Sequence, residues 1–298
     1  MLLGLATVAE ATPLIKGWGQ FRYTWGTGSD TFLPANARVS FKQVINDRWR
    51  MQFLPDLSLS GGGVILLDAF VEYDLDKDIT LMLGQFKYPF GLNRQYGPQE
   101  LFFMANNLVG SGFGFGTWDQ GLQIERRMGQ ANLKAVLING NGANTGGDGN
   151  RTKDLSGTVR FYYDAKSFAG FSGYYGVNTG ADLGALSLAI DLFMHHQINN
   201  ALIEIEFAQS IVAGTVATGW AIDGIFPDVI SPCTLVLGYA TMDPNTLVAN
   251  DQTVNIVGGL NVPIDADGKN LWMTNVTLSA TGSAASNMIA TQIRAFFD

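Results

Sequence analysis

The chain has 298 residues, of which 47% are hydrophobic and only 15% charged, and its formal net charge is −8. The charged share falls well below the roughly 25% usual for soluble domains, and the acidic balance excludes a nucleic-acid-binding protein, which needs a basic surface. No apolar run approaches the ~20 residues of a spanning helix; Val64-Ile65-Leu66-Leu67 ends at Asp68, so residence in a membrane would require a closed barrel.

In chain order, residues 1–11 (MLLGLATVAEA) resemble the apolar end of a secretory signal, with Ala9-Glu10-Ala11 as a small-x-small cleavage site. They are expected to be a signal-peptide remnant, leaving 12–298 as one domain. From Gly17 onward the chain breaks into short period-2 segments separated by Gly, Asn, Asp and Pro. Phe21, Tyr23 and Trp25 alternate with Arg22 and Thr24; Trp49, Met51 and Phe53 alternate with Arg48, Arg50 and Gln52. Further on, Ile203, Ile205 and Phe207 alternate with Glu204 and Glu206. This spacing predicts strands with one apolar and one polar face. Sixteen segments are expected, at about 17–25, 35–44, 48–58, 65–75, 78–88, 118–127, 131–139, 155–163, 168–177, 184–194, 201–211, 218–226, 233–242, 252–262, 270–279 and 287–297. Most are long enough for a tilted strand to cross the hydrocarbon layer, and the number is even, as in bacterial barrels.

The connections alternate in style. Asn46-Asp47, Asp76-Lys77, Met128-Gly129-Gln130, Ala165-Lys166, Asn199-Asn200 and Ala266-Asp267-Gly268 predict tight turns, and 59–64, 89–117 and 140–154 predict longer loops. The longest, 89–117, holds the best helical candidate, Pro98–Val109. A loop this long is usually functional; here it is expected to fold into the barrel lumen. The predicted fold is an all-β, antiparallel up-and-down transmembrane β-barrel with its apolar face toward lipid and its polar face toward water. A sheet of sixteen strands suits a wide barrel with an aqueous channel. Aromatics near strand ends, among them Trp18, Trp25, Trp49, Tyr88, Trp118, Trp220, Trp272 and Phe297, are expected to form interfacial girdles. Alternation alone leaves a second reading open, a secreted or surface all-β binding protein with the apolar face inward.

Catalytic and cofactor chemistry is not indicated. The only histidines, His195 and His196, are adjacent, and neighbours on a strand face opposite sides, so they cannot share a metal. Cys233 has no partner for a disulfide. No Ser or Cys sits in a recognisable nucleophile motif. The glycine patterns at 110–116 and 140–147 lack the strand, helix and downstream acid of a dinucleotide site.

The segment LLDAFVEYDLDKDITLMLGQFKYPFGLNRQ (66–95) carries Asp68-Ala69-Phe70 and Gly84-Gln85-Phe86-Lys87-Tyr88-Pro89-Phe90-Gly91. It resembles the phosphate-selective porin O and P family, in which such a segment precedes the constriction loop. Trp118-Asp119-Gln120-Gly121-Leu122-Gln123, Asn139-Gly140-Asn141-Gly142, Gly259-Leu260-Asn261 and Thr291-Gln292-Ile293-Arg294 are weaker matches. The resemblance implies a sixteen-stranded porin of the bacterial outer membrane. It further implies a homotrimer in contact with lipid and lipopolysaccharide, without cofactor, passing small solutes or anions such as phosphate along a row of lumenal arginines. The residues expected on that path are Arg22, Arg38, Lys42, Arg48 and Arg50 on the first three strands, Arg94 in the long loop, and Arg127 and Arg160. Two departures point to a general or weakly selective porin instead. The loop has one basic residue, Arg94, and no lysine, and residues 167–298 carry a net −9 against +1 for 1–166. The chain also ends Phe296-Phe297-Asp298 rather than on an aromatic.

Overall fold

The computed structural model describes residues 12–57, 63–148, 151–177 and 186–297. The expected signal remnant, the terminal Asp298, most of the 59–64 loop and the predicted start of the tenth strand lie outside the described residues. Sixteen strands form one closed antiparallel barrel in which sequence neighbours pair and the last strand returns to the first. They are β1 (Leu14–Gly26), β2 (Ser29–Val44), β3 (Trp49–Asp56), β4 (Ile65–Asp74), β5 (Ile79–Lys87) and β6 (Trp118–Met128). Next come β7 (Ala131–Ile138), β8 (Asp154–Tyr162), β9 (Phe168–Val177), β10 (Leu186–Ile198) and β11 (Ala201–Val212). The circle is completed by β12 (Thr215–Ile230), β13 (Cys233–Asp243), β14 (Thr253–Pro263), β15 (Leu271–Thr281) and β16 (Ala284–Phe297). Closure runs from Gly17↔Phe297 to Gly26↔Met288 between β1 and β16. Each strand overlaps one of the sixteen segments expected from alternation.

The barrel is inverted relative to a soluble core. On β10, Leu188, Ile190 and Leu192 are exposed while Ala189, Asp191 and Phe193 are buried. Across the barrel the large exposed residues are apolar, such as Phe21, Phe53, Phe171, Leu237 and Ile293. The buried set is rich in Gln20, Arg38, Gln123, Glu206, Asp223 and Gln292. An apolar exterior around a polar interior is stable only in a lipid solvent, which removes the inward-facing alternative. Arg in place of Leu192, 53% exposed in mid-strand, is expected to cost ~2–4 kcal/mol of folding free energy, against ~0–1 kcal/mol for Arg in place of the strand-end Ile198. Equilibrium folding into lipid vesicles across a denaturant series checks this difference.

The turns depart from the expected division. Three connections on the same rim as the long loops are themselves tight: Thr27-Gly28, Ala213-Gly214 and Gly282-Ser283. Ala213 and Gly214 both have positive φ, 51° and 84°, the geometry that lets a two-residue hairpin follow the twist of its strands. On the opposite rim, the connection around Ala266-Asp267-Gly268 extends over 264–270. The aromatic girdle also loses three members: Trp18 and Tyr88 are buried and Trp118 is half-buried, packed in clusters with Leu54, Phe296 and Phe90.

Candidate functional site: the constriction

The long loop spans 88–117 between β5 and β6 and lies inside the barrel, as its length suggested. Its predicted helix is shorter and later than expected: α1 covers only Leu108–Gly112, with the Asn107 side chain accepting from Gly110 N. The barrel wall explains the difference. Carbonyls that a helix over 98–109 would use internally are taken by wall side chains. Gln20 Nε2 donates to Pro98 O at 2.9 Å, Arg294 to Leu101 O at 2.7 Å and Asn261 to Phe102 O at 2.8 Å, while Arg22 donates to Met104 O.

The other half of the loop is held through its amides. Leu92 N donates to Glu206 Oε1 at 2.7 Å, with Asn93 N on the same carboxylate, and Gly91 N donates to Ser172 Oγ at 3.1 Å. Gly91 has φ +75°, and a Cβ there would sit 2.9 Å from Glu206 Oε1, so only glycine lets the chain pass this close. Tyr96 donates to Glu204, which also contacts His195 Nδ1 at 2.7 Å. Burial, and then the Glu204 charge, hold the Tyr96 hydroxyl above its ordinary pKa, so it remains a donor. Asn107 Nδ2 donates to Asp223 at 2.9 Å. Small residues Ala208, Ala221 and Ala240 make the seat for Val109 and its helix.

These contacts place the loop against the lumenal wall from β8 round to β16 and β1. Across the remaining opening it faces β1–β6 and the end of β16 over a cavity of about 380 Å³. The cavity is lined by Lys16, Arg38, Lys42 and Lys87, against only Asp68 and Glu100 as acids. Lys87 Nζ donates to Tyr96 O at 2.9 Å and lies 5.0 Å from the Trp118 ring centroid. Trp118 Nε1 in turn donates to Asp68 at 2.8 Å.

The eight residues expected on an anion path separate into three groups. Arg38 and Lys42 line the cavity, Arg38 with its Nε 2.8 Å from Asp56. Arg22, Arg94 and Arg160 belong to the loop and its support. Arg22 holds Met104 O and sits 2.7 Å from Gln292 Oε1. Arg94 is not part of the cavity lining; its Cβ and Cγ pack beside Gly91 and Gly116 in the root of the loop, and burial lowers its pKa from the ordinary value. The Arg160 guanidinium lies 5.0 Å from the Phe168 ring centroid. Arg48, Arg50 and Arg127 lie toward the short-turn rim. Arg48 precedes β3 and is exposed, 3.3 Å from Tyr73 Oη, so it leaves the lumenal face on which alternation placed it. Arg50 is engaged by Glu72 at 3.0 Å and by Asp74, and Arg127 is 3.6 Å from Glu125.

Sequence reasoning passed over Lys16, Lys87 and Glu100. Lys87 stands in the quoted Gly-Gln-Phe-Lys motif, but its side of the wall depends on how β5 enters the loop. Four of the eleven acids of residues 167–298 also find an explanation. Asp191, Glu204, Glu206 and Asp223 are buried behind the loop, and Glu204, Glu206 and Asp223 bond to it. They do not line the cavity, so the −9 of residues 167–298 is not the charge a passing ion meets there.

Residues 29–161 match the family model described as phosphate-selective porin O and P. Among curated proteins there is no match. Solved structures with the same fold include the anion-selective porin from Comamonas acidovorans, at 12% identity and TM-score 0.73, covering 96% of this chain and 99% of that one. The trimer form of OmpT from Vibrio cholerae has 12% identity and TM-score 0.71 over 96% and 99% of the two chains. Salmonella typhi OmpF in complex with daunomycin has 11% identity and TM-score 0.70 over 96% and 97%. The matched segment runs from β2 through the constriction loop to β8 of a closed sixteen-strand barrel; over that stretch the chain is similar to the phosphate-selective porin O and P family, and the protein is a porin of the bacterial outer membrane.

Proposed function

We propose that this passive outer-membrane channel is weakly anion-selective and takes its selectivity from the cavity between the constriction loop and the wall of β1–β6. The observation that carries the reading is the composition of that cavity, four basic side chains against two acidic ones. A low-dielectric wall focuses such an excess onto a passing ion. Arg38 and Lys42 are the members of the expected arginine and lysine row that act there; Arg22, Arg94 and Arg160 shape the loop, and Arg48, Arg50 and Arg127 colour the vestibule. Phosphate specificity finds little support, because the loop contributes no lysine to the cavity. The trimer form of the similar OmpT supports a homotrimer, and the exposed apolar belt supports contact with lipid and lipopolysaccharide. Reversal potentials of the purified protein in planar bilayers under a KCl gradient test the reading. A chloride-side potential is expected, and a potassium-side potential would overturn it.

A further inference from the structure

The cavity is amphipathic as well as basic. Trp18 and Leu54 pack with Trp118 and Phe296 into one apolar cluster on its wall. The Trp118 ring is held by its bond to Asp68 and has Arg38 and Lys87 at 5.6 and 5.0 Å from its centroid. Two donors on the same lining, Trp18 Nε1 and Ser40 Oγ, have no hydrogen-bond partner, although Trp18 is 8% and Ser40 7% exposed. Buried polar atoms are normally paired, so two orphans on one cavity wall ask for a missing partner. Both can donate, and bases outnumber the acids Asp68 and Glu100 on this lining, so the partner they fit is an anionic acceptor.

The apolar side decides what kind of anion. A small inorganic anion in contact with Trp118, Leu54 and Phe296 gives up hydration that those surfaces cannot replace. An organic carboxylate does not meet this conflict: its oxygens accept from the donors and ammonium groups, and its body lies on the indole and the Leu and Phe side chains. The volume, about 380 Å³, falls within the ~300–1,000 Å³ of small-molecule sites. We propose that the constriction cavity is a binding site for small organic carboxylates, aromatic ones above aliphatic. This rests on the reading of the cavity as the conducting constriction. Weak, rapidly reversible binding there concentrates the solute at the narrowest point and still releases it.

The test uses the intact porin in planar bilayers carrying a KCl current, with sodium benzoate as probe and acetate, benzyl alcohol and inorganic phosphate as comparisons. Benzoate is expected to reduce the chloride current saturably, at concentrations about tenfold below those needed of acetate or benzyl alcohol. Ser40→Ala is expected to raise the half-blocking benzoate concentration about fivefold, and Trp118→Leu about tenfold, in protein whose folding is verified by resistance to SDS before boiling. Benzoate without saturable block, phosphate blocking as well as benzoate, or a half-blocking concentration unmoved in Ser40→Ala would each overturn the proposal. Absence of KCl conductance, or a cation-side reversal potential, would defeat the channel reading beneath it; an anion-selective current indifferent to benzoate defeats only the carboxylate site.

Discussion

Replacing Glu206 with Ala is expected to loosen the constriction loop without weakening the barrel. The carboxylate accepts from Leu92 N and Asn93 N at the point where the loop leaves the wall, and it is 2% exposed. A hydrogen bond of this kind is worth about 0.5–1.5 kcal/mol net, and amides left unpaired in a buried site add a desolvation cost of about 1–3 kcal/mol. Alanine cannot accept, and water entering the gap recovers only part of the loss. The loop contributes nothing to the strand ladder, so the pairing of β10 with β11 and of β11 with β12 survives. The expected result is a larger and noisier single-channel conductance with an unchanged temperature for loss of the SDS-resistant folded form. A fall in that temperature with unaltered conductance would mean that Glu206 supports the wall rather than the loop. Glu206→Gln, which keeps one acceptor oxygen, should lie between the wild type and the alanine variant.

The second large effect is expected from charge reversal at Lys42, combined with Lys87→Gln. Both line the cavity, where four bases face two acids; with both changes two bases face three acids. A unit charge about 4 Å from an ion contributes about 1 kcal/mol even at the dielectric constant of water, and about 1.4 kcal/mol is a factor of ten. The anion/cation permeability ratio should therefore fall about tenfold or more and cross below one at low salt, recovering partly as added salt screens the lining. Reversal potentials across a series of KCl gradients measure it. Lys42→Glu alone isolates the charge effect, because Lys87 also tethers Tyr96 O. Arg38 and Arg50 are poorer probes. Removing Arg38 strands the buried Asp56, and Arg50 is already neutralised by Glu72 and Asp74. A ratio unmoved by both lysine changes would place selectivity elsewhere in the lumen.

The strands were legible because period-2 alternation needs no knowledge of partners. A residue such as Leu192 takes its side of the sheet from its neighbours, and lipid outside and water inside then make the two faces chemically distinct. The loop was legible by its length but not by its path. Its predicted helix over 98–109 failed because Gln20, Arg22, Asn261 and Arg294, far away in sequence, take up the backbone carbonyls that a helix would satisfy locally. The setting of Arg94, the loop's only basic residue, was hidden for a related reason: its Cβ and Cγ pack beside the tight glycines at 91 and 116 in the loop's root.

Local pattern determined the number of strands, their two faces and the place of the long loop, since each follows from spacing and length along one stretch of chain; which face looks outward was decided by the closed barrel, whose exterior is apolar. Which charges the channel presents was decided only by tertiary structure. Glu206 and Lys42 look alike on paper as lumenal charges, but the loop covers the first and leaves the second open. Electrostatic influence on a passing ion depends on distance and on what already pairs with each charge, and both are set by contacts between different strands and the loop, such as Glu206 with Leu92 N and Arg38 with Asp56.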